Sequence, residues 1–233
     1  SYLGLMLQQP RFDDDALERA RRQALSILKQ QEQNPGYRLN KRWREAAFGT
    51  HPYGKPPMGT PASIESLGAS DLRGFMKRYI TQQNMVIAVV GDITPDALSR
   101  VLDDHLGGLP STFDPDVTVD DVTVAAGGEP IIVDFDIPQT MVLFGLPGIK
   151  RSDPKFFDAY VMNYVIGSGS LTSRLGEELR EKRGLTYGVA TYLDPMLHSN
   201  LWAGSFSTRN EQAGAALAVM RETLASFARE GAT

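Results

Sequence analysis

The sequence predicts an α+β fold, and three observations carry that expectation. Amphipathic helical stretches alternate with short β-branched runs along a chain of 233 residues. The runs at 131–137 and 140–146 are parted only by Pro138-Gln139, and those at 185–193 and 201–208 by a loop containing Pro195, which is antiparallel rather than crossover spacing. The composition, 42% hydrophobic and 22% charged, is that of an ordinary globular chain. A chain of this length buries enough surface to hold together without a disulfide or metal staple.

The elements follow in order. Asp13, Asp14 and Asp15 offer an N-cap and an acidic first turn to a helix carrying Leu17, Ala20, Ala24, Leu25 and Leu28, expected to run to about Gln33. Asn34-Pro35-Gly36 interrupts it, and a second helix spans 37–48 with Lys41, Arg42 and Arg44 around Leu39, Trp43 and Ala47. Residues 49–59 hold three prolines and three glycines and read as irregular loop. Thr60 caps a short helix with Pro61 in its first turn, and Ser70 is expected to cap another through Tyr79. The apolar run 85–90 reads as a buried strand ended by Gly91-Asp92. Thr94-Pro95 starts a helix that stops at Gly107-Gly108. Residues 111–129 read as an acidic, glycine-containing linker with one strand at 117–124. Strands at 131–137 and 140–146 come next, then helices at 153–166 and 171–182 on either side of Gly167-Ser168-Gly169-Ser170. The strands at 185–193 and 201–208 precede a last amphipathic helix at 211–229.

Several function classes are disfavoured at once. A formal net charge of −4 announces no nucleic-acid partner, and no apolar run is long enough to span a membrane. Zero cysteines exclude a disulfide framework, a thiolate zinc site and a cysteine nucleophile. The N-terminus has no basic leader and no initiator Met, so it reads as a processed protein or an excised piece. The histidines are His51, His105 and His198, too far apart for two imidazoles on one helix face. Bland roles suit them: loop hydrogen bonding for His51, helix-dipole complementarity for His105, solvent exposure for His198. No G-x-S-x-G elbow and no phosphate-cradling loop is present, since Thr172 stands where G-x-G-x-x-G needs its third glycine. Gly167, Ser168 and Gly169 admit two readings. Their amides at a helix mouth can face a peptide carbonyl, or the glycines only permit a tight turn between helices.

The segment from Gly167 through Ser173-Arg174-Leu175, Leu179-Arg180-Glu181 and Gly184-Leu185-Thr186-Tyr187 resembles a signature of the pitrilysin/insulinase family of zinc metallopeptidases, in the second domain of its two-domain unit. His51-Pro52-Tyr53-Gly54, Met58-Gly59 and Val89-Val90-Gly91-Asp92 agree in order with the later half of that family's first domain. The resemblance implies a duplicated metallohydrolase-like domain, each copy a two-layer α+β unit with a mostly antiparallel sheet, as in mitochondrial processing peptidase. Residues 1–110 would then be the later half of a first repeat, 111–129 a linker, and 130–233 the earlier half of a second. Such halves can complete one another within a chain or by exchange between chains, which makes a homo-oligomer one expectation.

The resemblance also implies chemistry. In the family, zinc sits on an inverted H-x-x-E-H with a downstream Glu, and the second domain or a separate non-catalytic subunit supplies an Arg/Tyr pair facing the scissile peptide. Carried over, that pair is Arg180 and Tyr187. A permanent cation and a protonated phenol stabilise charge on a carbonyl oxygen without moving protons. Without the resemblance, Arg180 would merely complement a helix C-terminus beside Lys182 and Arg183, and Tyr187 would pack on the sheet. The helix that should hold the third zinc ligand near Ile27 carries no carboxylate from 20 to 31, and Glu32 lies out of register. The expectation is a chain that binds no cofactor, works with a zinc-bearing subunit of the same family and helps hold a peptide substrate. The alternative is a purely structural subunit of the superfamily. A bacterial cell-envelope or cytoplasmic location stays open.

Overall fold

A computed structural model describes residues 2–115, 117–125, 127–169 and 172–231. The chain divides into two compact units that do not follow chain order: Ser1–Gln30 with Met58–Thr118, and Gln31–Pro57 with Val119–Thr233.

The first unit is helical. It contains α1 (Tyr2–Gln8), most of α2 (Asp14–Gln31), α4 (Pro61–Ser66), α5 (Ala69–Tyr79) and α6 (Pro95–Leu106). Thr60 and Thr94 cap α4 and α6 as their sequence predicts, each with proline in the first turn. The cap of α5 is Gly68 rather than Ser70. The Asp71 carboxylate accepts from the Gly68 amide at 2.7 Å, which starts the helix one residue before the expected cap. Arg21 on α2 ties this unit together by donating to the carbonyls of Glu65 at 2.9 Å and Leu67 at 2.7 Å.

The strand expected at 85–90 does not form. The segment has no ladder, and Val86 and Val90 are fully solvent-facing at 95% and 102% exposure. A β-branched run becomes a strand only when a neighbour takes its amides and carbonyls, and no described strand of this unit offers one.

The second unit holds the sheet. Three antiparallel strands, β1 (Gln139–Pro147), β2 (Val189–Pro195) and β3 (Asn200–Arg209), lie in the order β1-β3-β2. In the register, Phe206 faces Val142 and Val189 while Trp202 faces Leu146 and Leu193. Period-two alternation therefore puts Trp202 and Phe206 on one face of β3 and Leu201 and Ala203 on the other. The first face packs against α8 (Ala213–Glu230) and a π turn at Gly176–Glu181, around fully buried Leu175, Leu179 and Ala216. The second face packs on α3 (Pro35–Phe48) through Trp43, Ala47 and Phe48. The α3 helix begins two residues before the expected start because Asn34 Oδ1 accepts from the Tyr37 amide at 3.0 Å and Pro35 fits the first turn.

Other expectations are corrected in this unit. A single 3₁₀ turn, Pro52–Gly54, breaks the loop at 49–59, with His51 as its cap. The strands expected at 117–124 and 131–137 are absent, although Val122 N donates to His198 O at 2.8 Å. The helix expected over 153–166 is α7 (Phe156–Asn163) followed by a π turn, Tyr164–Ser168. Ser170 and Leu171, where the next helix was to start, lie outside the described residues. The strand expected from 185 begins at Val189, because 185–188 form a corner instead.

Candidate functional site

Arg180 and Tyr187 meet at that corner. Arg180 sits near the end of the π turn Gly176–Glu181, between buried Leu179 and exposed Glu181. Leu179 is completely enclosed and fixes which way its neighbour turns. The chain reverses at Gly184, whose positive φ of 58° is a conformation glycine adopts freely. Gly184 N donates to Arg180 O at 2.9 Å and Leu185 N to Leu179 O at 2.7 Å. This is the paired closing of a Schellman motif, widened by one residue to suit a π turn.

Two threonines then hold the corner to the sheet. Thr208 Oγ1 on β3 donates to Leu185 O at 2.6 Å. The buried Thr186 hydroxyl lies 2.7 Å from Ser207 O and 2.8 Å from Gly188 O, and accepts from Gly188 N at 3.2 Å. Tyr187 projects from this pinned loop with 88% of its surface exposed. Its ring lies under the Arg180 guanidinium, whose Cζ is 5.0 Å from the ring centroid. That is cation–π contact, favourable because the ring face is electron-rich. The structure thus brings the two predicted residues together, with Tyr187 in the loop before β2 rather than in a strand.

The surrounding charges leave the guanidinium available. Lys182 binds the carboxylates of Glu177 at 3.0 Å and Glu178 at 2.7 Å, and Arg183 also grips Glu178. Hydrogen bonds from Lys182 and then Arg183 hold the Glu178 carboxyl below its ordinary range. The same contact raises the Lys182 ammonium. Among the described residues, the carboxylate paired with Arg180 is that of Glu181, at 3.6 Å from Nε.

Gly167, Ser168 and Gly169 occupy a different element. A Cβ on Gly167 would collide with the Thr191 side chain, so glycine is what lets the π turn Tyr164–Ser168 press on β2. The Gly169 amide is already bonded to Tyr164 O at 2.9 Å, and Ser168 is exposed. Beneath them, buried Asn163 accepts from Trp202 Nε1 at 2.8 Å. Sequence reasoning missed Asn163, Thr186 and Thr208 as positioning residues. The one available signal was Asn163, a polar residue inside the apolar stretch of its helix.

The donor set does not fit zinc. His51 accepts from the Tyr53 amide through Nδ1 at 3.1 Å and meets Asp120 O through Nε2 at 2.9 Å, so both ring nitrogens are engaged. His198, expected to be solvent-exposed, is half-buried and pairs with Asp121 Oδ1 at 3.2 Å, while Lys150 binds the other oxygen at 3.3 Å. Both contacts hold the Asp121 carboxyl low, His198 contributing most. Glu32 is paired to Lys41 at 2.7 Å. Among the described residues no group of three or more His, Asp or Glu side chains is placed to hold a metal ion. No helix among them is long and apolar enough to cross a membrane.

Comparison with known proteins identifies the family and the fold. A family model described as "Peptidase M16 inactive domain" matches residues 66–233. An uncharacterized zinc protease of Streptomyces coelicolor is 26% identical over 233 residues, covering 98% of this chain and 50% of its own length. The crystal structure of a peptidase M16 inactive domain from Pseudomonas fluorescens superposes with a TM-score of 0.87 at 28% identity, covering 99% of this chain and 55% of that one. Pitrilysin shares the fold with a TM-score of 0.68 at 19% identity, covering 98% of this chain and 26% of its own. The chain spans about half the length of the curated relatives it matches.

Proposed function

The chain belongs to the peptidase M16 family through its inactive domain, and from that premise we propose that it serves a zinc-bearing chain of the same family as a non-catalytic partner. In this reading Arg180 and Tyr187 face the scissile carbonyl of a peptide bound between the two chains. The observation that carries it is the guanidinium stacked 5.0 Å over a ring that is 88% exposed, on a corner anchored from below. A buried structural pair would not leave the phenol in solvent. Peptide hydrolysis places negative charge on the carbonyl oxygen, and a preorganised cation and phenol proton stabilise it without rearranging. Thr186 and Thr208 act through the corner as positioning residues. Gly167 and Gly169 set the backbone from which Ser168 would touch the peptide.

The test is peptide cleavage by a zinc-bearing M16 subunit mixed with this chain, as wild type, Arg180→Ala and Tyr187→Phe. Loss of one such donor is expected to lower kcat by about 10²–10³-fold, with association of the chains unchanged. Variants that sustain wild-type kcat would leave a purely structural subunit as the function.

A further inference from the structure

A cleft of about 200 Å³ lies in the second unit between one face of α3 and the segment 54–57 that follows the 3₁₀ turn. From α3 it takes Tyr37, Asn40, Lys41 and Arg44, whose spacing puts them on one face of the helix. From the segment it takes Lys55 and the pair Pro56-Pro57. Proline fixes φ, so this wall is set before any ligand arrives.

The charges in the cleft are one-sided. Its lining holds Lys41, Arg44 and Lys55 and, among the described residues, no acidic side chain, in a chain whose formal net charge is −4. Lys41 already has its counter-charge. The Glu32 carboxylate, outside the lining, accepts from its ammonium at 2.7 Å, and that hydrogen bond holds the ammonium above its ordinary range. Arg44 and Lys55 have none. The half-buried Arg44 guanidinium donates through Nε to Asn40 Oδ1 at 3.0 Å, and neither it nor exposed Lys55 forms an ion pair among the described residues. A partly buried cation without a counter-charge favours an incoming anion, and the arginine fork matches a pair of oxyanion oxygens. The start of α3 adds to the field. Asn34 and Tyr37 of its first turn line the cleft, where the helix dipole is positive.

We propose that this cleft binds a small phosphate-bearing dianion between Arg44 of α3 and Lys55 of the facing segment. Two uncompensated cations match two negative charges, which a phosphate group approaches at pH 7 and a single carboxylate does not. The volume admits a phosphate with a short carrier, and is smaller than the roughly 300–1,000 Å³ of pockets that enclose drug-sized ligands. A bound phosphate would join the helix to the segment through charge-assisted bonds on both sides. The inference goes beyond the proposed role in proteolysis and does not rest on it, since no lining residue belongs to the Arg180–Tyr187 corner.

The test is calorimetric titration of the full chain with inorganic phosphate and, in a second arm, glycerol 3-phosphate, at fixed low ionic strength. Phosphate in one form or the other should bind about 10-fold or more tighter than acetate or chloride, and the tighter arm tells a free phosphate from a phosphate ester. Arg44→Gln should weaken that binding by about 10–100-fold and Lys55→Gln by about 2–5-fold. Lys29→Gln, which removes the same charge from α2, should leave it unchanged. Amide shifts of the wild-type chain decide the matter independently of whether Arg44→Gln folds. Phosphate should move the amides of 37–44 and of Gly54 and Lys55 and leave those of 176–188 in place. No binding at about 10 mM phosphate, acetate binding as tightly, an affinity that survives Arg44→Gln, or shifts centred elsewhere each overturns the proposal. The titration involves no zinc subunit and no peptide, so its failure leaves the Arg180–Tyr187 reading standing.

Discussion

β3 and the segment 131–137 are made of similar material and live differently. Both are rich in apolar residues, but β3, with Thr208 as its one β-branched residue, carries a ladder on each side and buries Leu201, Trp202, Ala203 and Phe206, whereas 131–137, with four β-branched residues, carries none and leaves Ile132 82% exposed. The difference lies in the neighbours, not in the residues. A central strand has its backbone bonds completed by a partner on each side, and side chains on both faces meet helices. Among the described residues, the segment 131–137 is held to the rest of its unit by side chains.

That contrast sets the sizes of several effects. Leu179→Ala empties a fully enclosed site beneath the Arg180 turn and should cost about 2–5 kcal/mol in urea unfolding. Asn163→Ala strands the indole N–H of Trp202 inside the core, for about 1–3 kcal/mol. Thr208→Val removes one of the two clamps on the corner and should cost about 0.5–1.5 kcal/mol, with a larger effect on Tyr187 order as seen by NMR. Ile132→Ala should change stability by less than about 0.5 kcal/mol. Were it to cost as much as Leu179→Ala, the segment 131–137 would be core and the contrast would dissolve.

The smallest effect is electrostatic. The Glu178 carboxyl is held low, so its contribution is complete above its unfolded value of about 4.5 and is lost as pH falls through the lower folded value. The Lys182 ammonium is raised, so its share is complete below about 10.5 and fades as pH rises beyond that. Thermal melts across pH should show both edges, and added salt should flatten them because the pairs face solvent.

How much was legible in the sequence follows the same division. Local grammar worked where Thr60 and Thr94 capped their helices, whereas Asn34, read as part of a break, caps a helix that starts two residues before the expected one. Ser70 misled because the cap signal came from Asp71 reaching back to Gly68, a bond no composition rule singles out. The strands at 140–146, 185–193 and 201–208 were found to within a few residues, since each has a ladder partner in the sheet. Those at 85–90, 117–124 and 131–137 failed because periodicity reports a capacity to pair and says nothing about who is present to pair with. Arg180 and Tyr187 were visible only through a family resemblance. Thr186 and Thr208 were invisible, because a threonine in a β-rich stretch looks like any other strand former.

The π turn at Gly176–Glu181 has one further consequence. It accommodates an additional residue in each hydrogen-bonded loop compared with the α form, and that surplus lies just ahead of Arg180. Excising a single residue there would let the coil relax to ordinary pitch, and four α steps of about 100° come to nearly the same angle as five steps of the wider turn. Leu175 and Arg180 would keep their relative directions while the segment between them shortens by one position. A one-codon deletion is therefore better absorbed at this turn than in an ordinary helix, where it would swing one side chain away from the other.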